Sequence, residues 1–188
     1  MILLGLGSNL PSSFGDRFKN IDLAISYLEL YEIKVMKKSS FYESLSYPNE
    51  KNPKFINVII KVSTYLQPVD LASVLIFIEE KLERKRQHKN EPRTCDIDII
   101  DFNSKVIDFK YKNLDFTVPH KKLSYRNFVL LPLREILPKW KHPKTNESID
   151  MLINKLPRDD KNSILKIKKS WYNIRMLNQK DLIRKVKN

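Results

Sequence analysis

At 188 residues the chain is long enough for one domain with a buried core, and 41% hydrophobic content fits a folded soluble protein. The 35 Lys and Arg against 22 Asp and Glu give a formal charge of +13, which points to an anionic ligand or partner and says nothing about fold. One cysteine excludes an internal disulfide framework, no run approaches the ~18 apolar residues of a membrane span, and the apolar start lacks the basic lead of a signal peptide, so a cytoplasmic protein is expected.

In chain order, residues 2–6 read as a short buried strand and Gly7-Ser8-Asn9-Leu10-Pro11 as a turn. Ser13 to Asp16 has the form of a capping box with Asp in place of Glu. Beyond it Phe14, Phe18, Ile21, Ile25 and Leu28 recur at helical spacing, which predicts a helix to about Tyr31. Residues 33–42 read as one strand and 44–53 as a polar loop. Residues 55–62 alternate, with Ile56, Val58, Ile60 and Val62 toward the core and Phe55, Asn57, Ile59 and Lys61 on the other face. Pro68 opens a second amphipathic helix carried by Leu71, Leu75, Ile78 and Leu82. Short strands are expected near Val106–Ile107 and Thr117–Val118, and a helix from Phe128 to Leu137, with Pro132 as a kink and Pro138 as a stop. Two helices among antiparallel strands predict the α+β class, a ferredoxin-like α/β sandwich with a central, mainly antiparallel sheet.

The chemistry concentrates in Pro92-Arg93-Thr94-Cys95-Asp96-Ile97-Asp98-Ile99-Ile100. As a strand, residues 95–102 put Asp96 and Asp98 on one face and Cys95, Ile97 and Ile99 on the other. Two carboxylates about 6.6 Å apart at strand rise repel by roughly 2.5 kcal/mol at an effective dielectric near 20. A cation relieves that, and hard oxygen ligands suit Mg²⁺, which completes its shell with water and substrate phosphates. The competing reading is a solubilising edge strand. Arg93 and the upstream run Arg84, Lys85, Arg86, His88 and Lys89 favour a metal–triphosphate site instead. Asp101 is expected on the face opposite Asp96 and is not counted as a ligand. Cys95 reads as a small core residue.

These pieces resemble the 6-hydroxymethyl-7,8-dihydropterin pyrophosphokinase family of folate biosynthesis. The resemblance rests on Gly5-Leu-Gly-Ser-Asn9, Ser39-Ser-Phe-Tyr42, Phe55-Ile-Asn57, the Pro92 to Ile99 stretch, Val118-Pro-His120, and Arg126-Asn-Phe128 with Leu131-Pro-Leu133. It implies transfer of diphosphate from ATP to the hydroxymethyl group of a reduced pterin, with release of AMP, by a Mg-dependent enzyme using two Mg²⁺ ions. By resemblance, Asp96 and Asp98 hold the metals, and Arg84 and Arg93 join them as catalytic residues. ATP binding falls to Glu79, Arg84, Arg86, Lys89, Arg93, Ile99, Thr117, His120 and Arg126. Phe55 and Phe128 sandwich the pterin, Asn57 bonds its edge, and Ser44 and Leu45 complete the substrate side. The loop from Arg84 to Pro92 departs from the family in being one residue shorter and carrying Asn90 where many members have tryptophan, and Leu45 falls near an expected proline.

The resemblance covers residues 1–156 as the pyrophosphokinase domain and leaves 157–188 as a basic C-terminal extension. That extension has Trp171, Ile174 and Leu177 as a candidate apolar stripe. Deleting the chain from Lys161 onward is expected to leave catalysis largely intact. The expected partners are ATP and the pterin, with no nucleic acid and no membrane, for a monomer that fusion or association with dihydropteroate synthase would extend. Two rivals are weaker. A nucleic-acid-binding sandwich would not set paired acids on a central strand, and a nucleotidyltransferase would hold Gly7-Ser8 close to the aspartates in sequence.

Overall fold

The computed structural model describes residues 1–88 and 90–167. Its elements in order are β1 (Ile2–Ser8), α1 (Arg17–Leu30), β2 (Lys34–Lys38), β3 (Tyr42–Ser44), β4 (Phe55–Ser63), α2 (Pro68–Lys81) and β5 (Asp96–Phe102). A hairpin of β6 (Ile107–Tyr111) and β7 (Leu114–Val118) follows, then a single 3₁₀ turn (Leu123–Tyr125), α3 (Asn127–Ile136), α4 (Ile149–Lys155), α5 (Arg158–Asn162) and β8 (Leu165–Lys166). The main sheet has six strands in the order β5-β1-β4-β3-β8, with β2 also paired to β4, and its pairings are antiparallel. The class is the expected one: an α+β sandwich on a central antiparallel sheet.

Side-chain alternation sorts the sheet into two faces. Ile2, Leu4 and Leu6 of β1, Ile56, Val58 and Ile60 of β4, and Ile97 and Ile99 of β5 join Ile21, Leu28, Leu71, Leu75 and Ile78 in one core beneath α1 and α2. Leu3, Ile59 and Ile100 point the other way and meet Leu130 and Leu133 of α3, then Trp140 and Leu152, in a second core. The second core covers only part of its face, and the uncovered part carries Gly5, Gly7, Asn57, Asp96 and Asp98.

Strand β1 runs through Gly7 and Ser8, which were expected in a turn, and β3 takes in Ser44, which was expected in a loop; three further differences each have a local reason. Helix α1 starts at Arg17, because the Asp16 side chain accepts from Lys19 N–H at 2.9 Å and forms the cap, while Ser13 turns away to Glu83. The single strand expected over 33–42 is two. At the break, Ser39 offers its own hydroxyl to Ile59 N–H (3.0 Å), and Ser40 donates to Glu135, so the ladder is interrupted where side chains take the bonds. Finally, β5 carries a bulge: Leu4 pairs with Ile99 but Leu3 pairs with Asp101, leaving Ile100 as the extra residue. Directly paired residues share a face, so Asp101 lies on the same face as Leu3, Asp98 and Asp96. The expectation that it points away from Asp96 is corrected. It is fully buried at the far end of that face, accepting from Trp140 Nε1 (2.8 Å) and Ser104 N–H (2.8 Å).

Candidate active site

The site is built around a bare central strand. In the register of β1, Gly5 stands between Ile59 of β4 and Asp98 of β5, and Gly7 stands between Asn57 of β4 and Asp96 of β5. A methyl group at Gly5 would press on Ile100 Cδ1 at 3.2 Å and Ile59 Cδ1 at 3.3 Å, and one at Gly7 would stand 3.5 Å from both Asn57 Oδ1 and the Phe55 ring. The two glycines therefore leave an open floor between the carboxylates and the Phe55–Asn57 pair. That floor belongs to a cavity of about 630 Å³, walled by Ser44 at the end of β3, by Leu45 after it, and by Arg126 to Val129 at the start of α3.

On the carboxylate side, Asp96 is held by two guanidiniums, Arg84 on Oδ1 and Arg93 on Oδ2, each at 2.5 Å. Burial would raise its pKa, but Arg93 and Arg84 outweigh that and keep the carboxyl well below the usual range. Asp98 is more open, at 37% side-chain exposure, and meets Arg126 at 3.2 Å. Behind them Glu79 of α2 is buried, accepts from Ile97 N–H at 2.7 Å and pairs with both Arg84 and Arg86. Burial pushes its carboxyl up to about 8, against the pull of Arg84. The Arg93 Nε and Thr94 Oγ1 atoms are buried without a hydrogen-bond partner among the described residues, which leaves unspent donors beside the carboxylates. Two carboxylates on one strand face fit Mg²⁺, which takes one or two protein carboxylates and fills its shell with water and phosphate oxygens, while the spare donors suit the phosphate oxygens themselves.

On the other side, Asn57 spends its amide Nδ2 on Ser44 Oγ (3.0 Å) and Tyr42 O (3.3 Å), so its Oδ1 is the atom left for a ligand. Phe55 and Phe128 each carry a guanidinium on one face: Arg93 lies 4.9 Å from the Phe55 ring centre and Arg126 lies 5.4 Å from that of Phe128. The same two arginines bind Asp96 and Asp98. Each aromatic ring is thus linked through one arginine to one carboxylate.

Not every expected residue lines this cavity. Ile99 is buried in the core under α1 and α2, on the opposite face of the sheet. Thr117 donates to Asp108 within the β6–β7 hairpin at 2.6 Å. His120 is half-buried beside the site; its Nδ1 accepts from Lys122 N–H (3.1 Å), and burial holds its pKa below the ordinary value against the pull of Asp98. Glu79, Arg84 and Arg86 reach the site through their ion pairs rather than through its wall. Lys89 lies outside the described residues, as do Trp171, Ile174 and Leu177.

Sequence reasoning passed over several residues. Asn9 accepts from Arg93 N–H (2.6 Å) and donates to Pro53 O (3.0 Å), and its own N–H bonds Arg93 O, so one buried side chain fixes the loops on both sides of the cavity. Its place at the end of the Gly5-Leu-Gly-Ser-Asn9 motif was the available signal. Tyr47 and Tyr125 stand at the cavity with 78% and 79% exposure, and no periodicity marks either.

An antiparallel α+β sandwich with paired acids, clustered guanidiniums and two aromatic rings lining one cavity has the features of a phosphate-handling enzyme that acts on a flat heterocycle. The match to known proteins narrows the class. Residues 3–138 fit the model of the 7,8-dihydro-6-hydroxymethylpterin-pyrophosphokinase (HPPK) family, and the chain belongs to that family. It is 34% identical over 155 residues to the 2-amino-4-hydroxy-6-hydroxymethyldihydropteridine pyrophosphokinase of Synechocystis sp., covering 82% of this chain and 75% of the relative. It is 37% identical over 142 residues to the protein of the same name in Aquifex aeolicus, covering 76% of this chain and 83% of the relative. Among solved structures, a Plasmodium falciparum HPPK-DHPS with pteroate superposes with a TM-score of 0.66 at 17% identity, covering 82% of this chain and 42% of that one. In such fused relatives the chain therefore spans less than half of the polypeptide.

Proposed function

We propose that this chain transfers diphosphate from ATP to the hydroxymethyl group of 6-hydroxymethyl-7,8-dihydropterin, releasing AMP, as a step of folate biosynthesis. The observation that carries the reading is the register of β1. It puts Asn57 of β4 and Asp96 of β5 on either side of Gly7, across a strand face bare of side chains, two strand spacings or about 9.6 Å apart, which supports a ring held on one side and phosphates on the other. Family membership supports the same conclusion.

In this reading Phe55 and Phe128 grip the bicyclic ring between their faces, and Asn57 Oδ1 accepts from an N–H on its edge. The hydroxymethyl arm then lies over Gly7, toward Asp96. Asp96 and Asp98 would hold the Mg²⁺, which would supply the charge neutralisation that a triphosphate needs. Arg84, Arg93 and Arg126 exchange their carboxylate contacts for phosphate oxygens and so place positive charge where negative charge develops. With Nδ1 accepting from the backbone, the His120 imidazole keeps its proton on Nε2 as a neutral donor toward the nucleotide. Arg86 is freed from Glu79 to close on the same phosphates. The enzyme works as a monomer in the cytoplasm.

The experiment incubates the protein with ATP and Mg²⁺, with and without 6-hydroxymethyl-7,8-dihydropterin. The expected result is AMP only when the pterin is present, and none after chelation of the metal. ADP as product, or AMP formation indifferent to the pterin, overturns the reading.

A further inference from the structure

The family match ends at residue 138, yet the cavity is walled further along the chain by Asp160 and Ser163. Several contacts tie this later segment to the site. The Asn127 side chain, at the first position of α3, donates through Nδ2 to Asp160 O (2.5 Å) and to Ser163 Oγ (3.1 Å). Beyond Ser163, Ile164 is buried, β8 pairs with Tyr42 and Glu43 of β3, and Ile167 N–H donates to Phe41 O (2.8 Å). Lys166 meets Glu135 of α3 at 3.3 Å, and the same carboxylate accepts from Tyr42 OH (2.8 Å) and Ser40 N–H (3.0 Å).

These contacts matter because of what lies next to them. Helix α3 has no side-chain cap: Arg126 occupies the cap position and makes no capping bond. The first turn is closed by the Val129 and Leu130 N–H groups on Arg126 O (3.0 Å each), with Arg126 lying over the Phe128 ring. A second anchor comes from Asn127, whose buried amide reaches outward to residues 160 and 163. The opposite wall, β3 with Ser44, is paired on its outer edge by the same segment. One piece of chain thus touches both the start of α3 and β3, whose Ser44 pairs with Phe55 of β4, and stacking energy depends on ring offset and spacing.

We propose that Asn127, Asp160 and Ser163 are positioning residues of the substrate side of the site, and that residues 157–167 are a brace holding the start of α3, with Phe128, against β3, with Ser44. The proposal rests on the reading of that slot as the pterin site. It reverses the expectation that the chain beyond Lys161 is dispensable for catalysis.

The test compares the full-length protein with Asn127→Ala, Ser163→Ala and Ser163→Thr. It measures binding of 6-hydroxymethyl-7,8-dihydropterin, binding of a non-hydrolysable ATP analogue with Mg²⁺, and amide hydrogen exchange at Phe128 to Leu130. Asn127→Ala should weaken the pterin about tenfold, the scale of losing two partly buried hydrogen bonds, while the ATP analogue stays within about twofold. Exchange at the start of α3 should quicken. Ser163→Ala should move the same readouts less, and Ser163→Thr, which keeps the hydroxyl, should restore them; this pair carries the test if Asn127→Ala does not fold. Unchanged pterin affinity in the alanine variants, or equal weakening of both ligands, overturns the proposal. A wild-type protein that binds no pterin sinks the functional reading instead. In that case, faster exchange confined to the start of α3 still establishes the brace, and unchanged exchange removes it.

Discussion

Asp96 shows how far one residue's surroundings change a prediction. From the strand alone, its neutralisation relieves repulsion with Asp98 and leaves the protein without ligands no less stable. In the fold, Arg84 and Arg93 already compensate the charge. Asp96→Asn removes the charge on which Arg93 depends and one of the two carboxylates held by Arg84, and should cost about 1–3 kcal/mol of stability by urea unfolding, besides lowering kcat by orders of magnitude. Asp98→Asn, with one contact at 3.2 Å and a more exposed side chain, should cost under about 1 kcal/mol while hurting kcat as much. The pH dependence follows from the depressed pKa of Asp96. Its folded pKa lies below the unfolded value of 3.8, so its contribution is fully present above that pH and is lost as pH falls below it. Thermal melts from pH 6 down to 2 should show a loss of stability that is shallower in Asp96→Asn. Asp101 behaves in the opposite sense. Asn in its place keeps one acceptor and turns an amide donor toward either the Trp140 or the Ser104 N–H. Asp101→Asn should lose about 1–3 kcal/mol of stability with kcat per folded molecule unchanged. An unaltered melting temperature, or a kcat reduced as in Asp96→Asn, would contradict this placement.

Among the elements, β1 has the least side chain and the most influence on the site. Its strand was legible only to Leu6, because Gly7 and Ser8 read as a turn, and the structure carries the strand through both. What Gly5 and Gly7 face required the neighbours in register. Gly7→Ala separates fold from function: the added methyl makes ordinary contacts at 3.5 Å, and alanine spends less backbone entropy in a strand than glycine. Stability should stay within about 1 kcal/mol, while KM for the pterin rises at least tenfold, because the methyl stands on the floor between Asn57 and Asp96. A KM left unchanged would mean that the ligand does not cross that strand. The bulge in β5 was not legible. Nothing in Ile99-Ile100-Asp101 signals an extra residue, and it is fixed only by pairing to β1 and by the pull of Trp140 on Asp101. The basic loop was half legible. Its charges were plain, but not their partners: Arg84 and Arg86 are spent on Glu79 and Asp96, and Glu91 accepts from Gln87 and His88 N–H.

For the whole molecule, the formal charge of +13 acts at a distance that no single contact does. ATP is strongly anionic and the pterin is neutral, so raising salt from about 0.05 to 0.5 M should lift KM for ATP several-fold and leave KM for the pterin nearly unchanged. Parallel movement of both constants would show that the charge steers nothing. The amino-acid sequence by itself determined the α+β class, the antiparallel β4, the two helices of the first core and the pairing of Asp96 with Asp98, because each follows from side-chain period within one segment. It also carried the motifs that mark the family. Only the tertiary structure decided where Asp101 points, that Ile99 belongs to the core and not to the cavity, that Asn9 fixes two loops, and that residues 160 and 163 stand beside Asn127. The physical reason is the same in each case. Period reports which side of its own strand or helix a residue occupies, whereas register, bulges and long-range hydrogen bonds depend on partners far away in the chain, and local pattern carries no record of them.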